Sequence, residues 1–492
     1  MYEWYAFFLL SILPLTMLVQ FFWSRRKLHE CARQFDGPPA LPIIGNALSF
    51  NCHHMKIFQR VRKILNRWPQ PPRLWLGPRL ILFFTNIKHV ERIMSSTKLA
   101  HKSDLYYKTF SDYTGNGLIV SSGAKWKEDR KRIQPMFSLK YSFCKIEMIH
   151  RYVDVLVSNL ENLVDGDLHD IYPIFHTCCF DINAEIVYGL QLDSQRGNNM
   201  DISHAIEKAY QLVYERMVKP WLLFSPIYHF SRNKVERDRV KKIMWDFGTK
   251  AVAASDERLK NLQHDNYHEQ MPIVDQMNQS IVNDGMVTSR DDMIYQLMTL
   301  FTAAEDTMSI TSSILVVCFG MYQEHQEMAL KEIHDILGPE PRDVTEDELR
   351  DFKYMDMCIK EAVRLATIAP FIIRKCIEEM QIGEYTIVPG SEICIPIFDI
   401  HRDPEHWENP EHFHPDHFLE ENVKKRNPYA YLAFSAGPRS CIGKHIALVA
   451  LKTIMIRLLT KFKFSAPGKM PDLKFHADIS VRLRDGYNVK IT

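Results

Sequence analysis

From Ser289 to about Gly320 the chain holds one unbroken helical pattern of apolar residues. Roughly thirty residues at ~1.5 Å each make a rod of ~45 Å, long enough to cross a whole domain. Ser289 and Asp292 read as a capping box at its start. The middle of the rod, TAAEDTMS over residues 302–309, places Glu305, Asp306 and Thr307 inside the apolar run. Buried charge is costly unless it is paired or used, so this polar insert reads as functional. Ala303, Ala304, Thr307 and Met308 share one stripe by i, i+4 spacing. Small residues on that stripe let a flat group lie against the backbone.

Around this rod the 492 residues show no repeat, no low-complexity segment and no Ser/Gly linker. The reading is one large catalytic unit, mainly α with a minor β part. Long amphipathic patterns fill 140–338, with a break at 219–230 and a polar, loose connection at 260–288. RLILFFTN (79–86) is β-like, and GNGLIVSSG (115–123) is a loop ahead of a helix that opens near Lys125. GEYTIVPGSEICIPI (383–397) alternates and reads as a short strand pair. An irregular, Pro-broken loop follows at 401–418, and a last helix runs from about Lys444 to Phe462. Sixty-one basic against sixty acidic residues give no field for gripping nucleic acid. Ten cysteines without a CxxC pair fit a reduced, cytosol-facing environment.

Residues 4–23 carry no charge and would reach ~30 Å as a helix, the thickness of a bilayer core. Trp4, Tyr5 and Trp23 stand at its ends, and Arg25, Arg26 and Lys27 follow at once. The pattern predicts a retained anchor over 1–24, with everything downstream in the cytosol. A cleaved signal peptide is the competing reading, but there is no basic n-region and no small-residue cleavage site. A basic, Pro-rich hinge spans 25–49, including GPPALPIIGN, and the catalytic unit spans 50–492.

The strongest local signal is FSAGPRSCIG, 434–443, directly ahead of KHIALVALKTIMIRLL. A loop at a helix N-terminus offers amide donors and a dipole that favour thiolate. Gly437 and Gly443 permit tight turns, Phe434 gives an apolar shield, and Arg439 offers a fork for a carboxylate. The plain alternative is a buried free cysteine near a helix start. Phe434, Gly437, Arg439, Cys441 and Gly443 reproduce the FxxGxRxCxG signature, and on these residues the chain resembles the cytochrome P-450 haem-thiolate monooxygenases.

The resemblance extends along nearly the whole chain. Glu361 and Arg364 in CIKEAVRL match the family's ExxR pair, and His417 in FHPDHF stands where a third, arginine member is usual. Histidine loses the fork, so a softened lock is expected. A zinc site is the alternative use of His401, His406, His412, His414 and His417, but their spacing lacks a helical or CxxC-like frame. Trp126 and Arg130 in WKEDR, with Arg374 in APFIIRK, resemble haem-propionate donors. KPWLLFSPIY is similar to the microsomal branch that holds the fatty-acid ω-hydroxylases, a branch expanded in insects.

The fold implied by the resemblance places haem b between a long distal helix and a Cys-loop with its proximal helix. Cys441 would be the axial thiolate of the iron, a ligand that favours O–O cleavage. Thr307 would hold bound dioxygen, and Asp306 would feed it protons from solvent. Ala304 replaces the usual glycine and would narrow the oxygen groove. Ala303 replaces the glutamate that esterifies haem in many ω-hydroxylases, so the haem is expected to be non-covalent. The activity implied is insertion of one oxygen atom of O2 into an apolar lipid, hormone or foreign compound. Electrons would come from NADPH through NADPH–cytochrome P-450 reductase, with cytochrome b5 as an optional second donor. Lys125, Lys127, Lys131, Arg132 and Lys444 could form the basic patch for that partner. The site implied is the endoplasmic reticulum membrane. Two alternatives are an electron-independent, peroxide-rearranging haem enzyme and a non-catalytic haem ligand-binding protein. Pocket residues are expected within 101–120, 205–235 and 366–375.

Overall fold

In the computed structural model the apolar pattern forms a single helix, Arg290–Met321. The structure describes residues 15–223, 225–261, 270–283, 289–340 and 342–492. Seven helices and four strands frame the site: α1 (Ile57–Leu65), α2 (Gly123–Ile133), α3 (Tyr172–Tyr188), α4 (Met200–Val218), α5 (Arg290–Met321), α6 (Lys353–Ala366), α7 (Lys444–Leu459), β1 (Arg73–Leu76), β2 (Arg79–Phe83), β3 (Phe371–Lys375) and β4 (Glu392–Pro396).

Ser289 Oγ caps α5 by accepting from Asp292 N at 3.1 Å, the forward half of the expected box. Length and apolarity alone would let α5 cross a membrane, yet 78% of its apolar window is buried by protein. It lies in the centre, against α3, α6 and α7. Its hydroxyls are tolerated there because each donates to the carbonyl one turn back. Thr302 reaches Met298 O at 2.8 Å, Ser309 reaches Glu305 O at 2.7 Å, and Ser313 reaches Ser309 O at 2.8 Å. The loop at 115–118 presses on α5 so closely that a Cβ on Gly117 would stand 2.2 Å from Thr299 Oγ1. Gln296 ties that loop and α2 to α5, accepting from Leu118 N at 2.8 Å and donating to Asp129 Oδ2 at 2.9 Å.

The main sheet has the order β1-β2-β4-β3. β1 and β2 are antiparallel, β2 and β4 parallel, and β3 and β4 antiparallel. The expected strand pair at 383–397 is corrected by this topology. Tyr385–Ile387 pairs instead with Met380–Ile382, while β4 joins the main sheet. Alternation marks strands but does not choose their partners. The loose connection at 260–288 is also corrected, because Ile273–Asn283 is helical. Residues 262–269 and 284–288 of that connection lie outside the described set. At the N-terminus, residues Leu15–Ser24 form an apolar helix, followed by Arg26–Ala32. The earlier part of the expected anchor lies outside the described residues.

On α6, Glu361 and Arg364 are both fully buried. Arg364 Nε and Nη2 each sit 2.7 Å from a Glu361 oxygen, a bidentate pair. The remaining Arg364 donors reach His401 O at 2.6 Å, Pro410 O at 2.7 Å and His412 O at 3.2 Å. One arginine therefore fastens the whole irregular loop. His417 takes the third place, with Nδ1 at 3.1 Å from Glu361 Oε1 and Nε2 at 2.8 Å from Glu408 O. Arg426 holds it there, donating to His417 O at 2.6 Å while its guanidinium lies 3.8 Å above the Trp407 ring. Arg426 thus braces the histidine member of the lock through its carbonyl and through Trp407. The five histidines do not converge on a metal. His401 and His417 are buried in the lock, and among the described residues the one close trio of ligand atoms is Asp403, Glu405 and His406.

Burial pushes the Glu361 carboxyl up, but Arg364 and His417 overcome it and hold it at about 2. Its folded value lies below the ordinary 4.5, so the lock contributes fully above that pH and is lost as pH falls towards about 2. Replacing Arg364 by Leu leaves a buried, unpaired carboxylate and should cost about 3–5 kcal/mol in denaturant titrations. Glu361→Gln should flatten the acid limb of the stability profile.

Candidate active site

The loop 434–443 is held in one shape by its backbone. Cys441 N donates to Phe434 O at 2.8 Å. Ser435 and Gly437 take φ of 60° and 66°, and a Cβ on Gly437 would meet Met94 O at 2.0 Å. Only glycine fits there. Gly443 differs from expectation: its φ is −84° and a Cβ would make only an ordinary contact, with Ile446 Cγ2 at 3.9 Å. The value of Gly443 lies in its amide, which sits beside the Cys441 sulfur at the start of α7. Cys441 is open to the cavities beside it, yet its depth inside the protein pushes the thiol up, while the Gly443 amide and the Arg130 and Lys444 charges draw it back.

Across from this sulfur runs the α5 stripe. Ala303, Thr307 and Met308 line a cavity of about 340 Å³ whose opposite wall includes Phe434 and Cys441. Thr307 Oγ1 donates to Ala303 O at 3.0 Å. Ala304, expected against the flat group, is half-buried, and the side chains lining this cavity come from its neighbours Ala303 and Thr307. The cavity takes residues from all three expected stretches, among them Tyr107, Tyr210 and Phe371. Ile479 and Ser480, from the turn between strands Phe475–Ala477 and Val481–Leu483, were not legible as part of it.

Cations gather at one edge. Arg374 and Arg439 line the cavity with Lys102, which bridges Arg374 backbone to backbone. Arg439 donates to Ala100 O at 2.9 Å and Ser121 O at 2.7 Å and lies 3.9 Å above the Trp126 ring. Burial and the neighbouring Arg374 lower Arg439 to about 9, and burial with both arginines holds Lys102 well below the usual lysine range. Arg374 Nη1 is buried with no hydrogen-bond partner among the described residues. The buried Arg374, with its orphaned donor, and the half-buried Lys102 and Arg439 repel one another, an arrangement that suits an anionic group with carboxylates. Arg130 stands apart from it, donating to Ser440 O at 2.9 Å and Gln134 Oε1 at 3.1 Å.

Two acids sit behind the stripe. Asp306 is ion-paired with Arg482 and accepts from Ser480 Oγ, which faces the cavity. Burial works against the Arg482 charge, but Asp306 and Tyr172 more than restore it. Glu305, only 1% exposed, pairs with His176 on α3. Burial pushes Glu305 up against the pull of His176, and burial lowers His176 less than Glu305 raises it. Tyr210 joins this pair to the cavity, with its hydroxyl 3.3 Å from Glu305 Oε2 and 2.5 Å from Thr302 O. The same His176 Nε2 that faces Glu305 lies 3.9 Å from the exposed Glu207.

On the other face of the Cys-loop an open cavity of about 690 Å³ is lined by Arg130, Lys131, Lys444 and His445. Two members of the expected basic patch are neutralised locally. Lys125 pairs with Asp129 at 3.1 Å, and Arg132 pairs with Glu128.

A family model described as Cytochrome P450 matches residues 36–491. The chain belongs to the cytochrome P450 family. It is 27% identical to Cytochrome P450 4V2 of Mus musculus over 99% of this chain and 94% of that protein. It is 28% identical to Cytochrome P450 4c3 of Drosophila melanogaster over 97% and 92% of the two chains. For Cytochrome P450 4c21 of Blattella germanica the identity is 28% over 96% of each. The cytochrome P450 family implies haem b and monooxygenase chemistry, and the residues present fit that group. Cys441 offers a sulfur on one wall, Ala303 and Thr307 a small-residue wall opposite, and Lys102, Arg374 and Arg439 an unpaired cationic edge.

Arg374→Ala should speed haem transfer to apomyoglobin about ten- to hundredfold, the worth of a charged hydrogen bond. Lys102→Met should act in the same direction, whereas the exposed Lys127→Ala should leave the rate unchanged.

Proposed function

We propose that this cytochrome P450 is a membrane-anchored monooxygenase that oxidises an apolar small molecule with NADPH-derived electrons. The observation that carries the reading is the opposition of Cys441 to the Ala303–Thr307 wall across one cavity, with a cationic edge. Haem bound there supplies oxygen activation. Cys441 would hold the iron, while Arg374, Arg439 and Lys102 would hold the propionates, with Trp126 bracing Arg439. Ala303 offers no carboxylate for an ester link, so retention would rest on these non-covalent contacts.

The chain's own groups divide the remaining work. Thr307 presents its oxygen to the cavity, with its proton resting on Ala303 O. Asp306 borders the cavity beside Ser480, from whose hydroxyl it accepts, and is ion-paired with Arg482. Glu305, shared between the Tyr210 hydroxyl and His176 Nε2 with Glu207 beyond, offers the cavity a second acid–base group besides Asp306. A reductase domain with acidic residues would dock on the concave face lined by Arg130, Lys131 and Lys444.

An endoplasmic reticulum anchor over 1–24, hinge over 25–49 and cytosolic catalytic unit over 50–492 complete the reading. Exposed Leu15, Met17, Val19 and Trp23 on the first described helix support the anchor. Arg25 and Arg26 follow, lying 4.0 Å and 4.8 Å from the Phe21 and Trp23 rings.

In a reconstituted system with reductase, Thr307→Ala should keep NADPH consumption within about twofold while product per NADPH falls roughly tenfold and peroxide release rises. Unchanged coupling, or turnover without reductase, would favour a ligand-binding or peroxide-rearranging protein instead.

A further inference from the structure

A second space opens beside the active-site cavity. It measures about 180 Å³ and lies between α1, the β1–β2 hairpin and the end of α4. Phe371 and Ile479 line both spaces, so the two adjoin at these side chains. Alternation along β3 divides them: Ile372 and Arg374 face the cavity and Ile373 faces the annex. Helix α4 spans both, with Tyr210 over the cavity and Tyr214, Met217 and Val218 over the annex.

The annex wall is hydrocarbon and aromatic ring. Among the described residues Asp478 is its only charged side chain, at the junction next to Ile479. Asp478 accepts from Ser480 N at 3.2 Å and has only a long ion pair to Arg482, whose Nε is 4.0 Å away and whose Nη2 is committed to Asp306. The cations of the adjoining cavity are Lys102, Arg374 and Arg439, which haem carboxylates would occupy. A carboxylate placed in the annex would thus be desolvated, unpaired and repelled by Asp478. Arg60 on α1 is exposed and donates to Ser49 O, so a carboxylate that reached it would already stand in solvent.

Resting on the monooxygenase reading, we propose that the annex takes the far end of an uncharged long-chain lipid, such as an alcohol, ester or hydrocarbon. The near end lies in the cavity, and a free long-chain carboxylate is selected against.

The test is equilibrium binding to the holoenzyme by calorimetry, after its reduced carbon monoxide complex has been checked for thiolate ligation. Dodecanol and methyl dodecanoate should bind more than about tenfold tighter than dodecanoate at mildly alkaline pH. Affinity should rise from octanol to dodecanol by up to about fourfold per methylene. Val61→Trp, which fills the annex from the half-buried face of α1, should abolish that rise and spare octanol. Asp478→Lys should close or reverse the gap between dodecanol and dodecanoate. Dodecanoate binding as tightly as dodecanol to the unmodified protein would overturn the proposal, as would failure of both neutral ligands to bind. A missing thiolate spectrum with the neutral preference intact would instead contradict the monooxygenase reading and leave the annex assignment standing.

Discussion

The Arg364 guanidinium is the contact from which the haem-side architecture hangs. Buried against Glu361, it spends its remaining donors on the carbonyls of His401, Pro410 and His412. His401 passes the constraint forward, since its Nε2 accepts from Leu432 N at 2.8 Å, two residues before Phe434. Burial and the adjacent arginines keep His401 neutral, which leaves that nitrogen free to accept. The shape of the Cys441 loop therefore depends on an ion pair on α6. Breaking such a pair strands a charge in the core, which is why few substitutions there would be tolerated.

Charge explains what the cavity is for. Glu361, Asp306 and Glu305 each face a cation or imidazole. Lys102, Arg374 and Arg439 face one another across a cavity edge. Proteins do not keep unpaired buried cations without a use for them, and a dicarboxylate prosthetic group is what this edge fits. The annex shows the opposite pattern, with a single anion in a hydrocarbon wall. One molecule thus offers an anion site and an anion-averse site on either side of β3.

Much of this was legible because it is local. The Cys-loop motif, the Glu361–Arg364 spacing and the Ser289 cap are set by neighbours within a few residues. Lys102, His176, Ser480 and Arg482 were missed because long-range packing alone brings them to the site. His176 sits on α3, 129 positions before Glu305, and no pattern in either segment announces the pair. Alternation at 383–397 showed strands but not that β4 would pair with β2 and β3. The Ile273–Asn283 helix was masked by the polar stretch around it. His417 looked like a weakened lock member because Arg426, nine residues on, is not part of any recognisable motif. Glu305 was the one partial success: it stood out as misplaced charge, although its partner could not be named.

The central claim is that Cys441 is the thiolate ligand of haem iron in this cavity. The reduced carbon monoxide complex tests it most directly. The purified protein should show the strongly red-shifted Soret band of thiolate-ligated haem, and Cys441→His should bind haem without that band. A wild-type spectrum with the unshifted band of imidazole ligation, or a Cys441→His protein that kept the shifted one, would contradict the account.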